Sequence, residues 1–163
     1  MRHLISTLVT ITWALWFGAL IALFLFVQTL FNNNREIAVE AAPQLFMVFQ
    51  KYHLILAAIA LMSVVAWRIA APSKSALVIF ILLGLAACCG VAVSLWIIGP
   101  MNALRESGLS GSDEFKRLHG RSMMLFVGQA FFLLISGIIL PIAIRGGGSE
   151  RAPGTSAATD SPA

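Results

Sequence analysis

Two histidines stand in the same local setting in this 163-residue chain, and they are the side chains most able to do chemistry. Phe49-Gln50-Lys51-Tyr52-His53 and Phe115-Lys116-Arg117-Leu118-His119 both read Phe, any residue, base, any residue, His, and the second lies 66 positions after the first. Neutral imidazoles held at similar depth could ligate haem iron axially or hold a divalent metal, provided both rings turn inward. The bland alternative makes each an interfacial anchor beside its basic neighbour. Ser122, three residues past His119, is close enough for contact, but no Asp or Glu in the apolar runs could orient the imidazole for nucleophilic work. Cys88 and Cys89 are adjacent, which rules out an ordinary disulfide framework and leaves soft-metal binding or plain packing.

The elements that must position these groups are membrane spans. Four apolar runs, about 4–31, 45–69, 75–99 and 118–144, each exceed the roughly 20 residues that cross a hydrocarbon core at about 1.5 Å rise per residue. Hydrophobic residues make up 59% of the chain and charged ones 11%, more apolar surface than a soluble domain of this size could hide. No Asp, Glu, Lys or Arg occurs from Leu4 to Phe31 or from Ser75 to Leu104, as expected where each ionised group at mid-bilayer costs about 2.5–3.5 kcal/mol. The first run is too long for a signal h-region and ends in Asn32-Asn33-Asn34 without a cleavage pattern, so it reads as a retained helix.

These features predict an all-α membrane protein with four transmembrane helices in an up-down-up-down bundle over residues 1–145. Asn32 to Gln44 reads as a polar connection, Ala70 to Lys74 as a tight link, and Pro100 to Lys116 as the longest loop, whose Ser107 to Ser112 segment could cover an opening. Residues 146–163 are rich in Gly, Ser, Ala, Thr and Pro, a composition expected to stay disordered. The 66-residue offset also lays Gly18 on Gly84, which leaves open a duplicated helical hairpin with parallel repeats.

Four spans put both termini on one side. Arg2, Arg68, Lys74, Arg145 and Arg151 then face Arg35, Lys51, Arg105, Lys116, Arg117 and Arg121, a near tie. The acidic residues Glu36, Glu40, Glu106, Asp113 and Glu114 dilute the second set and tip the expectation towards cytoplasmic termini in a cell membrane. The net charge of +4 is spread over loop ends that meet lipid phosphates, so the bilayer is the expected partner and nucleic acid is not. A second copy of the chain or another membrane protein could also pack on it.

Small residues at steps of four predict packing seams along Ala14, Gly18 and Ala22, and along Ala86, Gly90 and Ser94. In the fourth span His119, Ser122, Gln129, Leu133 and Ser136 share one face at 100° per residue and should point inward, with Glu114 pairing to Arg117 before them.

The stretches WFGALIALFLFVQTLF from Trp16, FMVFQKYH from Phe46 and PMNALRESGLSGSDEFKRLHGRSMMLFVGQ from Pro100 resemble the transmembrane-protein-205-like family of small four-span proteins, domain of unknown function 4149. More distantly, they resemble the membrane region of copper-resistance D-type proteins. The likeness covers residues 4 to 144, and its most specific part is Phe115, Leu118-His119-Gly120 and Ser122. It implies a four-helix membrane bundle and no particular reaction, with Phe115, His119, Gly120 and Ser122 as the positions that matter and Gly120 allowing close approach to His119. Family members often carry Asn where this chain has Phe126, which removes a polar group from the fourth-helix interior.

Three functions follow as expectations. The first is a non-enzymatic membrane protein without a cofactor, serving membrane or stress physiology. The second binds haem or a divalent metal through His53 and His119. The third is a small transporter that works as a homo-oligomer.

Overall fold

A computed structural model describes Arg2 to Gly146, without the side chains of Arg2, His3 and Gly146. The tail expected to be disordered lies outside the described residues apart from Gly146, which ends the last helix. The chain folds into α1 (Arg2–Asn33), α2 (Arg35–Ala70), α3 (Lys74–Trp96), α4 (Ile98–Glu106) and α5 (Asp113–Gly146). Four stretches are long and apolar enough to cross a membrane: Leu4–Asn33, Arg35–Ala70, Lys74–Glu106 and Asp113–Arg145. The protein is thus a multi-pass membrane protein with an all-α, four-span architecture.

The connection expected over Asn32 to Gln44 is helical instead. Asn34 alone separates α1 from α2, and its side-chain oxygen accepts from the backbone N–H of Glu36 (3.0 Å) and Ile37 (3.2 Å), starting α2 at once. Pro43 lies inside α2, where it removes the N–H that would bond the Val39 carbonyl. With 36 residues α2 is about 54 Å long, well beyond the roughly 30 Å of a hydrocarbon core, so its charged first turns extend past the membrane. There water can satisfy that carbonyl.

The Pro100 to Lys116 loop is also shorter than the sequence suggests. Pro100 denies Trp96 a backbone partner, and the third span bends at Ile97 but continues as α4 to Glu106. Gly108, at φ +72°, then ends α4: its N–H bonds Arg105 O (2.9 Å) and the N–H of Leu109 bonds Leu104 O (2.8 Å), a Schellman closure that favours glycine. Ser112 caps α5 by accepting from Phe115 N (3.2 Å).

Packing places the helices in the ring α1, α2, α3, α5, with α1 opposite α3 and α2 opposite α5. Trp16, Leu20, Leu56, Ala60, Val64, Ile79, Leu83, Ala86 and Leu133 fill the middle, while Leu25, Phe26, Val48, Met62, Leu95 and Ile138 face outward, as a lipid solvent permits. The Ala86, Gly90 and Ser94 seam is internal, with Ala86 and Gly90 buried. The other expected seam is not: Ala14 and Gly18 are exposed, and nothing stands within 4 Å of a Cβ placed on Gly18. Trp13 and Trp16 occupy the inward faces of α1, and their indoles do the packing that small residues were expected to do.

Candidate functional site

At the end of the bundle away from the termini, α1, α2, α5 and the α3–α4 bend line a partly open cavity of about 610 Å³. That is the size range of small-molecule sites. Its walls are largely apolar, with Val27, Phe31, Met47, Val93, Met101 and Met123 among them, and the loop residues Ser110 and Gly111 close one side.

Its floor is aromatic. Phe24, Phe46 and Phe126 all line the cavity, and the buried Phe126 ring meets Phe24 edge-on (6.1 Å between centroids, 88°) and lies 5.6 Å from Phe46. Phe126 also approaches Phe49 at 6.2 Å, so rings from α2 and α5 pack across the bundle diagonal. Beneath them Phe49 stacks on His53 (5.6 Å, 17°), and His53 in turn lies 6.0 Å from Trp16. The position at which the family resemblance leads one to expect Asn thus supplies the hydrophobic partition between cavity and core.

The paired Phe-x-base-x-His motif reappears as geometry, because both histidines form ring pairs with the Phe one helical turn earlier. Their surroundings differ. His53 is fully buried, and its Nε2 lies so close to the Cα of Gly90 that a Cβ there would overlap the imidazole. His119 is exposed, lines the cavity and faces Phe115 at 6.4 Å with nearly parallel rings. The two sit on opposite sides of the Phe49–Phe126 layer, and a metal on His53 Nε2 would require α3 to move. Among the described residues no group of three or more His, Cys, Asp or Glu side chains is placed to hold a metal.

The other expected positions resolve as follows. Ser122 is buried and donates to His119 O at 2.7 Å, so its proton is directed to the helix backbone and not to an imidazole. Gly120 admits no close neighbour: a Cβ there would meet nothing within 4 Å. Gln129, Leu133 and Ser136 point inward as their spacing requires. Glu114 and Arg117 do not pair; the ion pair in this turn joins Lys116 to Asp113 at 3.2 Å, in the open. Cys88 and Cys89 are free thiols, and Cys89 sits 3.7 Å from the Cβ position of Gly128 on α5.

Several contributors escape sequence reasoning. Gln50 is buried and donates from Nε2 to Gly90 O (2.6 Å) and to Ser94 Oγ, tying α2 to α3. A glutamine inside an apolar run is the signal that could have pointed to it. Arg105 and Arg35 both line the cavity. Arg105 donates to Asn102 Oδ1 (3.0 Å) within α4 and lies over the Phe115 ring (5.4 Å), the second contact requiring the α4–α5 turn to close. No Asp or Glu lines the cavity, so its fixed charges are both positive. Comparison of the chain with protein-family models, with curated proteins and with solved structures finds no match.

Proposed function

We propose that this is a non-enzymatic membrane protein of the cell membrane that acts by holding a small apolar or amphipathic molecule in the cavity at its loop end. The observation that carries the reading is the cavity itself: lined by all four spans, floored by phenylalanines and walled by flexible methionines that adapt to an irregular guest. Ser122 directs its proton to the helix backbone, and His119 has only a ring neighbour, an arrangement suited to binding more than to bond-making. With cytoplasmic termini, the mouth opens on the outer side of the membrane. The resemblance to the transmembrane-protein-205-like family belongs to the same reading and rests on Phe115, Leu118-His119-Gly120 and Ser122.

The test uses Ala42, a buried cavity-lining residue near the first turns of α2. Detergent-purified protein incubated with 1-hexadecanol and examined by native mass spectrometry should retain the alcohol. Ala42→Trp, which fills the cavity, should abolish retention while helicity is unchanged. Equal retention by both proteins would sink the reading.

A further inference from the structure

Resting on that reading, we infer that the cavity selects a single-chain acid, an ionised long-chain carboxylate, with its head between Arg35 and Arg105 and its chain running down to the Phe126 floor. Size comes first. A chamber of about 610 Å³ has room for one long acyl chain with its carboxyl group.

Charge comes second. Arg35 and Arg105 come from two different connections, the start of α2 and the end of α4, yet both line one cavity. Neither has an ion-pair partner, and every carboxylate at this end of the molecule, including Glu36, Glu40 and Glu106 beside them in sequence, is absent from the lining. Two cations facing one apolar chamber without a counter-charge are complementary to an anion with an apolar body. Arg105 is positioned for this role: Asn102 takes one guanidinium N–H, Phe115 supports the planar group from one face, and the remaining donors stay available. Arg35 is the first residue of α2, where the helix dipole adds to the attraction for a carboxylate.

Depth comes third. The charged opening turns of α2 and α5 lie outside the apolar runs, whereas Phe46 and Phe126 lie inside them. Head and chain would therefore rest at the levels they occupy in the surrounding leaflet, so loading from the membrane requires little vertical movement.

The experiment compares oleic acid with oleyl alcohol, which share a chain and differ in the head, on full-length protein in neutral-lipid nanodiscs at a pH well above the carboxyl pKa. Wild type should bind oleate about tenfold or more tightly than the alcohol. The double variant Arg35→Gln, Arg105→Gln should bring that ratio close to one and keep alcohol binding, which also reports an intact cavity. Equal affinities in wild type, or a ratio unchanged in the double variant, would overturn the anion selectivity and leave the cavity reading standing. Failure of wild type to bind the alcohol would overturn both. Oleate binding insensitive to Ala42→Trp would mean attraction to surface arginines and would overturn the inference too.

Discussion

The imidazole of His53 rests directly on the backbone of Gly90, with Nε2 the ring atom nearest to where a glycine Cβ would be. One residue's missing side chain is the space that the other's ring occupies. A Cβ on Gly90 would also stand 2.7 Å from Cε1 and 2.9 Å from Cδ2 of that ring, and Phe49 and Trp16 flank it, so the ring has nowhere to go.

Gly90→Ala should therefore destabilise the bundle by about 1–3 kcal/mol through overpacking. Thermal unfolding in detergent followed by circular dichroism measures it. Combining it with His53→Ala should cost less than the sum of the two single changes; an additive pair would show that the ring and Gly90 do not compete for the same space.

Gln50 and Gln129 are both buried glutamines, and their replacement by Leu should have opposite effects. Gln50→Leu removes the donors to Gly90 O and Ser94 Oγ and leaves that carbonyl and hydroxyl less well satisfied, a loss of about 1–2 kcal/mol. Gln129 is fully buried and its amide has no hydrogen-bond partner, so Gln129→Leu should leave stability unchanged or raise it by about 1 kcal/mol. Unfolding of both variants in the same detergent tests the contrast.

At the other end of the molecule Trp13 donates from Nε1 to Leu133 O (2.8 Å), and its ring covers Gly137. Trp13→Phe keeps most of the ring and loses the bond, which should cost about 1 kcal/mol. Gly137→Ala drives a methyl group into the indole and should cost more. Intrinsic tryptophan emission should also shift in Gly137→Ala as Trp13 is displaced, a change expected of no substitution confined to the cavity.

Phe126→Asn introduces the residue expected from the family resemblance. It should remove the ring contacts with Phe24, Phe46 and Phe49 and cost about 3 kcal/mol, partly from the void left behind. It should also weaken 1-hexadecanol retention, since a polar amide would replace the apolar floor. Unchanged retention would place the alcohol elsewhere.

Much of the architecture was legible before any coordinates. Four spans, their alternation and the inward Ser122, Gln129, Leu133 and Ser136 follow from hydropathy and from a 3.6-residue repeat, both local properties of the chain, although His119, expected on the same inward face, is exposed. The connections expected over Asn32 to Gln44 and Pro100 to Lys116 are largely helical, because polar residues end an apolar run without ending a helix. Seam assignment failed at Gly18 because periodicity groups residues on one face without saying which neighbour, if any, that face meets.

The candidate site was half legible. The repeated Phe-x-base-x-His motif led to two ring pairs, yet nothing local distinguishes a histidine enclosed by Trp16, Phe49 and Gly90 from one open to a cavity. Membrane residence, span number and the charge-free stretches Leu4–Phe31 and Ser75–Leu104 are determined by the sequence alone, since each depends on transferring a single segment into lipid. Only the tertiary structure decides that Arg35 and Arg105, 70 positions apart, share a chamber, that Phe126 divides it from His53, and that Gly90 and not Gly120 is the glycine a histidine needs. Those relationships depend on how far each helix extends and how it rotates against its neighbours, and no segment carries that information by itself.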